Sequence, residues 1–210
     1  MTYNHKQFNE YLKPSYLDLE RWAAYWYQID AIVNSGREIK NCLEVGCGNK
    51  IVAQTLKNFG VEVKTLDIEP SINPDYSGSI VKAPIADNSF DAVLCAEVLE
   101  HLPFEDFSQA LSELRRISRR LVIISLPHWG RHFSLTVRLP YFHNFRWQKK
   151  LNPLPPKHIF DGVHYWEIGK KGFPLKLIKQ KMQEAGFNIG KDFICFESPY
   201  HHFFILNVRK

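Results

Sequence analysis

The chain has 210 residues, of which 45% are hydrophobic, and a formal net charge of +5. This length supports one sizeable hydrophobic core, so we predict a single domain over residues 1–210. The sequence contains no apolar run long enough to span a bilayer, and its polar, aromatic-rich start differs from a secretory signal, which predicts a cytoplasmic protein. The four cysteines form no CxxC pair, so we expect reduced thiols and no structural zinc.

Helical and strand-like patterns alternate along the first part of the chain. Ser15 with Asp18 three residues later resembles a helix start, and the apolar spacing that follows ends near Gly36, so residues 1–38 are assigned to a leading helical segment. Short apolar runs then alternate with helical patterns, which predicts a doubly wound, mostly parallel sheet of the α/β class. The strands are expected at 41–45, 61–67, 91–96 and 120–126, and the helices at 51–59 and 105–118.

The regular alternation stops after Pro127. Residues 128–172 contain four prolines and interleaved aromatic and histidine residues. We predict an insertion over residues 127–172 that forms a lid or substrate wall, because a long irregular segment in a compact domain is usually functional. The expected remaining elements are a helix at 174–185, closed by Gly186, and strands at 192–197 and 202–208.

Positive charge is concentrated in the second half of the chain. Residues 128–186 contain eleven Lys or Arg against three Asp or Glu, a local balance of +8. Such a segment could attract a phosphate, a carboxylated sugar, an acidic lipid headgroup or nucleic acid. The alternative is a solvated face, which we favour for Lys176, Lys179 and Lys181 on the predicted helix.

A glycine turn follows the first predicted strand, at Gly46 and Gly48. Two glycines at a strand exit let the backbone turn tightly and approach a ligand, and a carboxylate about 20 residues later, here Asp67, can accept both ribose hydroxyls. The pattern predicts a nucleoside-binding half-site. A dinucleotide turn would need a third glycine where the chain has Ile51, which disfavours NAD.

Residues Glu44 to Gly48 resemble the first motif of the class I S-adenosylmethionine-dependent methyltransferases, of the type 11-like family, although Lys50 replaces the third glycine. Residues 66–70, 83–103 and 119–127 are similar to that family's second-strand ribose motif, its fourth strand with the following helix, and its fifth strand. The resemblance covers roughly the first 130 residues in the family's order. It implies a Rossmann-like, seven-stranded sheet, S-adenosylmethionine as the cofactor and methyl transfer as the activity.

The resemblance also implies which residues hold the cofactor at the carboxyl ends of the strands. Relatives often carry an acidic residue for the adenine amino group where this chain has Ser79, so we expect a neutral hydrogen bond from Ser79 and a backbone contact from Ile80. Cys47 is expected to act through its backbone amide. The full set of implied contacts is Glu44, Gly46, Cys47, Gly48, Asp67, Ile68, Ser79, Ile80 and Glu97.

Glu97, Glu100 and His101 would share one face if their segment were helical. Two carboxylates and an imidazole could hold Mg²⁺ or Mn²⁺. Some relatives that methylate catechol-like quinone precursors or RNA 3′ ends use a Glu-x-x-Glu-His group in this way. In many others, similar residues hold no metal and organise the active-site loop. The sequence leaves both alternatives open.

Two histidines are candidate catalytic bases, because histidine titrates near neutral pH and could deprotonate a hydroxyl. His128 follows the fifth predicted strand, and His164 lies in the insertion. The alternative for each is a structural histidine. His201 and His202 are interpreted as structural.

The sequence favours methyl transfer to a small or medium polar acceptor at an oxygen atom, and the basic segment would suit an anionic one. One alternative is an RNA or other nucleic-acid methyltransferase, because the interleaved aromatic side chains could stack bases; a compact recognition domain for nucleic acid is missing. Another is a cofactor-binding but catalytically silent partner subunit, which Lys50 and Ser79 would permit.

Overall fold

The computed structural model describes residues 13–16, 18–140 and 144–209. Its first α-helix, α1 (Leu19–Val33), begins after Asp18, whose carboxylate accepts a hydrogen bond from the Arg21 N–H at 2.8 Å. Asp18 is therefore the N-cap of the leading helix, one turn later than the start predicted at Ser15. Residues 1–12 and 17 of the predicted leading segment lie outside the described residues.

Nine strands and three further α-helices follow within the described residues. The helices are α2 (Ile51–Asn58), α3 (Phe107–Ile117) and α4 (Leu175–Glu184). The strands are β1 (Asn41–Val45), β2 (Glu62–Asp67), β3 (Tyr76–Ser77), β4 (Phe90–Ala96), β5 (Ser118–Pro127), β6 (Arg131–Val137), β7 (Phe145–Leu151), β8 (Phe187–Ile194) and β9 (His201–Val208).

Seven of these strands form one sheet in the order β3-β2-β1-β4-β5-β9-β8. The pairs from β3 to β5 are parallel, whereas β9 runs antiparallel to both β5 and β8. The predicted Rossmann-like, mostly parallel, seven-stranded fold is confirmed.

Helices cover both faces of this sheet. Side chains that alternate along β4 point to opposite faces, so that Leu94 packs with Leu56 of α2 in one core, and Val93 packs with Leu111 of α3 in the other. Because parallel strands are buried on both faces, β1, β2, β4 and β5 appear in the sequence as continuous apolar runs, which located each of them to within two residues.

The edge strand β8 begins five residues before the predicted strand at 192–197 and ends three residues earlier. Its first five residues include Asn188, Gly190 and Lys191, which do not form an apolar run. The register to β9 shifts between Ile189 and Lys191, around Gly190. An edge strand with a bulge needs few apolar residues, because one side of it is unpaired and much of it faces solvent.

The insertion is more regular than predicted, because β6 and β7 pair as an antiparallel hairpin. Its two ends meet on the sheet: the Trp129 N–H donates to the Ile168 carbonyl at 2.8 Å, and the Ile168 N–H donates to the Pro127 carbonyl at 3.0 Å. The insertion therefore begins at the end of β5 and ends beside its own starting point.

Within the part of the chain that the structure describes, every helix falls short of the length and apolarity that a membrane crossing requires.

Candidate active site

A cavity of about 510 Å³ opens at the carboxyl ends of β1 and β4, where the strand order reverses. Three parts of the chain line it. The turn after β1 and the end of β4 contribute Glu44, Gly46, Cys47, Gly48, Glu97, Glu100 and His101; α1 contributes Arg21, Tyr25 and Gln28; and the later segments contribute Val163, His164, Ser198, Tyr200 and His201.

The glycine turn takes a shape that requires glycine at Gly46. Its φ is +72°, and its N–H donates to the Leu66 carbonyl at 2.8 Å. A Cβ at this position would overlap the Cγ2 atom of Val98, which follows β4. The first motif glycine is therefore fixed both by its backbone conformation and by a close neighbour.

Lys50, which stands at the third glycine of the family motif, also has a left-handed backbone, with φ +59°. Its Nζ donates to the Asn73 carbonyl at 2.7 Å. The turn thus keeps the glycine-like conformation although the residue is a lysine, with the side chain directed to the segment after β2.

Asp67 ends β2 beside this turn and is nearly buried. Its Oδ1 accepts a hydrogen bond from the Glu69 N–H at 3.0 Å. Burial raises its pKa, while the N–H groups of Glu69, Gly48 and Cys47 oppose that rise. The neighbouring Ile68 is half exposed, at 49%. Asp67 and Ile68 lie at the end of β2 and do not belong to the cavity lining.

Ser79 and Ile80 follow β3 and begin a short 3₁₀ helix. The Ser79 Oγ accepts a hydrogen bond from the Val81 N–H at 3.2 Å, so this side chain caps the helix. Ile80 is buried in the core. Neither residue lines the cavity.

Glu44 presents a buried carboxyl group to the cavity. Burial raises its pKa to about 8, the N–H of Ala53 lowers it, and the nearby Asp67 raises it further. Its Oε2 has no hydrogen-bond partner among the described residues. A buried acceptor of this kind can receive a cationic or N–H-bearing ligand group.

Glu97 follows β4 with φ +52°. The Ser125 hydroxyl donates to its Oε1 at 2.8 Å, and its Oε2 lies 4.0 Å from the His201 Nε2. This segment is not an α-helix, because only Leu99–His101 form a 3₁₀ turn. The condition under which Glu97, Glu100 and His101 would share one helical face is therefore not met.

Glu100 is completely buried, and neither of its carboxylate oxygens has a hydrogen-bond partner among the described residues. Burial, with the nearby Glu97, raises its pKa well above the ordinary range. His101 lies beside it, with Nδ1 3.0 Å from the Val163 carbonyl, to which it donates. Burial lowers the pKa of His101, and that hydrogen bond opposes the change.

His164 reaches the cavity from the insertion. Its Nδ1 lies 3.4 Å from both the Glu167 Oε1 and the Tyr200 hydroxyl oxygen. Its main-chain N–H donates to the Asp161 Oδ1 at 2.7 Å. Burial would raise the pKa of Glu167, but hydrogen bonds from His164 and Lys170 outweigh it and hold the pKa below the ordinary range. A carboxylate therefore faces the imidazole.

Two groups of side chains near His164 could hold a cation. Glu100, His101 and His164 each place one ligand atom within 4.8 Å of the others, and so do Asp161, His164 and Glu167. Glu97 belongs to neither group. Two imidazoles with one carboxylate suit a metal such as Zn²⁺ better than Mg²⁺, which prefers oxygen ligands.

His128, the other candidate base, does not line the cavity. Its ring is buried against His202, with the two Nδ1 atoms 2.9 Å apart. Burial lowers the pKa of His128 to about 3, with further contributions from His202 and Lys150. The position directly after β5 directs this side chain toward β9, and the geometry does not support a catalytic role for it.

Several cavity residues were not identified from the sequence, among them Arg21, Tyr25, Tyr200 and His201. Arg21 and Tyr25 lie on α1, and the Asn49 side-chain amide donates to the Tyr25 hydroxyl at 3.1 Å, which joins α1 to the glycine turn. Tyr200 lies in the turn before β9, and His201 is the first residue of β9. That turn reaches the cavity only because β9 pairs beside β5, which no local pattern reveals.

Residues 43–124 match the family described as "Methyltransferase domain". A ubiquinone biosynthesis O-methyltransferase of Xanthomonas oryzae pv. oryzae is 29% identical over 111 residues, which are 45% of this chain and 46% of that protein. The corresponding protein of Burkholderia vietnamiensis is 32% identical over 80 residues, 30% of this chain and 34% of that protein. The chain spans less than half the length of these curated relatives.

Solved structures share the whole fold. Superposition on the N-methyltransferase NodS from Bradyrhizobium japonicum, in complex with S-adenosylhomocysteine, gives a TM-score of 0.64 at 12% identity, and the alignment covers 98% of both chains. The magnesium protoporphyrin IX methyltransferase from Synechocystis, with the same compound bound, has a TM-score of 0.57 at 16% identity and covers 100% of this chain and 90% of that one. The predicted fold is confirmed: residues 43–124 match the methyltransferase-domain family, and the chain as a whole shares the fold of these S-adenosylhomocysteine-binding structures.

Proposed function

We propose that this protein transfers a methyl group from S-adenosylmethionine to a hydroxyl oxygen of a small or medium polar acceptor. The observation that carries the proposal is that the glycine turn after β1 and His164 of the insertion line the same cavity. One side of the cavity suits the cofactor and the other suits an acceptor.

On the cofactor side, the turn after β1 lines the cavity, and the ends of β2 and β3 follow outside the lining. Gly46, Cys47 and Gly48 offer backbone at close approach, and Asp67 lies where it can accept ribose hydroxyls. Ile68 offers an exposed apolar surface to the base, and Ser79 with Ile80 follows at the end of β3. Glu44, with a free buried oxygen, suits the ammonium group of the methionine part.

The acceptor side is formed by His164, Tyr200 and His101. When bound, S-adenosylmethionine supplies an electrophilic methyl group, so the protein has to position the acceptor and remove its proton. Glu167 holds His164 through Nδ1, and no hydrogen bond from the described residues occupies Nε2. His164 then accepts the hydroxyl proton at Nε2, and Glu167 stabilises the imidazolium.

Only a short part of the described insertion lies at the cavity and can act as the predicted lid. Of its described residues, Val163 and His164 line the cavity. The Tyr165 N–H donates to the Glu100 carbonyl at 2.9 Å, which holds this part over the site. We propose that this short segment is the wall that excludes water from the acceptor.

The charges in the cavity favour a neutral acceptor over an anionic one. The lining carries the carboxyl groups of Asp18 and Glu20 against one guanidinium, that of Arg21. It also carries three carboxyl groups, those of Glu44, Glu97 and Glu100, whose pKa values burial raises toward the neutral form. The basic residues of the insertion do not line it. The likeness to O-methyltransferases over part of the chain supports oxygen as the methylated atom.

The test is a methylation assay with labelled S-adenosylmethionine and a panel of hydroxyl compounds, followed by substitution of His164. His164→Ala should lower turnover by about 10²–10⁴-fold while the affinity for S-adenosylhomocysteine stays unchanged. His132→Ala is the matched control, because His132 is a half-buried histidine of the hairpin bonded to Gln148. Equal turnover of His164→Ala and the unsubstituted protein would contradict the role of His164, and methylation of amines alone would contradict the choice of oxygen.

A further inference from the structure

The hairpin formed by β6 and β7 turns its polar face to the protein and its apolar face to solvent, which is the reverse of an ordinary surface hairpin. Residues directly opposite each other in an antiparallel pair share a face. The register therefore places Phe133, Leu135 and Val137 with Phe145, Trp147 and Leu151 on one face, together with Arg131 and Lys149.

The opposite face of the hairpin is polar and contacts the rest of the protein. The Gln148 side chain donates to the Ile194 carbonyl at 2.6 Å, and Arg146 pairs with Glu197 at 2.6 Å. Lys150 donates to the His128 carbonyl. These contacts fix which face is turned inward, so the apolar face is directed to solvent.

The outward face is strongly apolar. Phe133, Leu135, Phe145, Trp147 and Leu151 are each between 41% and 56% exposed. Monomeric proteins rarely expose contiguous apolar patches of this kind, and such patches mark binding surfaces. Neither β6 nor β7 lines the cavity, so the acceptor pocket does not explain the patch.

The charge around this face has one sign. Residues 128–160 contain six Lys or Arg and no Asp or Glu, and of these Arg131 and Lys149 lie on the outward face while Arg146 and Lys150 lie on the opposite one. Aromatic and aliphatic side chains, with Arg131 and Lys149 on the same face, match the interfacial region of an acidic bilayer. Apolar groups enter the headgroup boundary there, and cations meet the lipid phosphates.

We propose that the outward face of the β6–β7 hairpin binds the surface of anionic phospholipid membranes. A second copy of the chain explains the surface less well, because two such faces would bring like charges together. RNA would bind the cationic side chains, but RNA binding would not explain why the aliphatic side chains of Leu135 and Leu151 are exposed on the same face. This inference concerns a surface outside the cavity and is independent of the proposed methyl transfer.

The experiment is vesicle flotation with the full chain. Vesicles of phosphatidylglycerol and phosphatidylcholine in equal parts should bind the protein, and vesicles of phosphatidylcholine alone should bind it much less. The double variant Phe133→Ser/Trp147→Ser should weaken binding about tenfold or more, because two interfacial apolar side chains are lost. Arg131→Gln/Lys149→Gln should weaken binding and reduce its dependence on salt.

Matched controls come from other exposed sites. Phe59→Ser/Trp26→Ser removes one exposed Phe and one exposed Trp elsewhere, and Lys57→Gln/Lys82→Gln removes two exposed charges. Both should bind vesicles like the unsubstituted protein. The proposal would be overturned if the protein did not bind anionic vesicles, or if the control variants lost as much vesicle binding as the hairpin variants. It would also be overturned if the hairpin variants changed only the sedimentation of a dimer or only the affinity for single-stranded RNA.

Discussion

At the scale of single residues, two of the four described non-glycine residues with a positive φ lie next to the site. Lys50 and Glu97 both have a positive φ without being glycine, and both follow strands that meet at the cavity. Such conformations cost energy and persist where the surrounding structure holds them, frequently at functional sites. Here they turn the chain sharply after β1 and after β4, which exposes backbone and carboxylate groups to the cavity.

Gly46→Ala tests the most constrained of these turns. The left-handed conformation should cost about 1–2 kcal/mol in the free energy of unfolding, and the overlap with Val98 adds to that loss. Urea unfolding and calorimetry with S-adenosylhomocysteine should show lower stability and weaker binding. Gly60→Ala is the control, because Gly60 has φ +82° with no atom near the added methyl group. Equal losses in the two variants would show that the Val98 overlap does not matter.

The sequence was enough to assign to the cavity those residues that directly follow the parallel strands. It was not enough for residues that reach the cavity because two strands far apart in sequence pair with each other. Gly46, Gly48 and Glu44 line the cavity as the first motif predicts, since they leave β1 at the ligand edge. His201 was assigned a structural role, yet it lines the same cavity beside Glu97. Its position depends on the pairing of β9 with β5, over seventy residues apart in sequence, and no local pattern encodes that contact.

At the scale of elements, the attachment of the insertion depends on two neutral histidines. Burial lowers the pKa of His202 from 6.5 to about 4; Asp192 raises it, and Lys150 and Lys179 lower it. His128 contacts the same ring. Protonation of either ring would bring positive charge next to Lys150, whose side chain holds the hairpin to the His128 carbonyl.

This arrangement predicts how stability depends on pH. Because the folded pKa of His202 lies below 6.5, the unfolded chain binds protons more readily. The contribution of this histidine is complete above pH 6.5 and is lost as the pH falls toward 4. The free energy of unfolding, measured in urea at several pH values, should fall more steeply for the unsubstituted protein than for His202→Asn. Parallel curves would contradict the prediction.

The edges of the sheet were harder to predict than its centre for a physical reason. A central parallel strand such as β4 has to be apolar on both faces, so its residues form a continuous signal. The hairpin strands β6 and β7 alternate apolar and polar residues with the period of a strand, at Phe133, Leu135 and Val137 and again at Phe145 and Trp147, and the prolines and histidines around them hid this pattern. The sequence alone does not show that the apolar face is the outward one, because that follows from the contacts of the opposite face with the rest of the protein.

At the scale of the whole molecule, the cavity joins α1, the sheet and the insertion, so a bound ligand should stabilise all of them together. S-adenosylhomocysteine at 100 times its Kd should add about 2.7 kcal/mol, which corresponds to a rise in Tm of roughly 5–10 °C for a chain of this size. Thermal unfolding followed by circular dichroism measures it. NAD should give no shift, since Ile51 replaces the glycine that a dinucleotide turn requires.

Asp67→Ala provides the comparison for that measurement. Loss of the hydrogen bonds to a charged group should weaken binding by about 1.5–3 kcal/mol and reduce the shift in Tm accordingly. The unliganded protein should lose less, because Asp67 makes local contacts to backbone N–H groups only. A full shift with S-adenosylhomocysteine in this variant would contradict the assignment of Asp67 to the ribose.

The meeting of Trp129 and Pro127 with Ile168 has an evolutionary consequence. Because the excursion starts and finishes at one point on the sheet, its length and composition can change without altering the register of β5 or β9. The entropic cost of closing a longer or shorter loop varies only slowly with its length. The hairpin part of the insertion can therefore change in length and sequence while the segment with Val163 and His164, which lines the cavity, keeps its place, so that evolution can alter the exposed apolar surface separately from the candidate site.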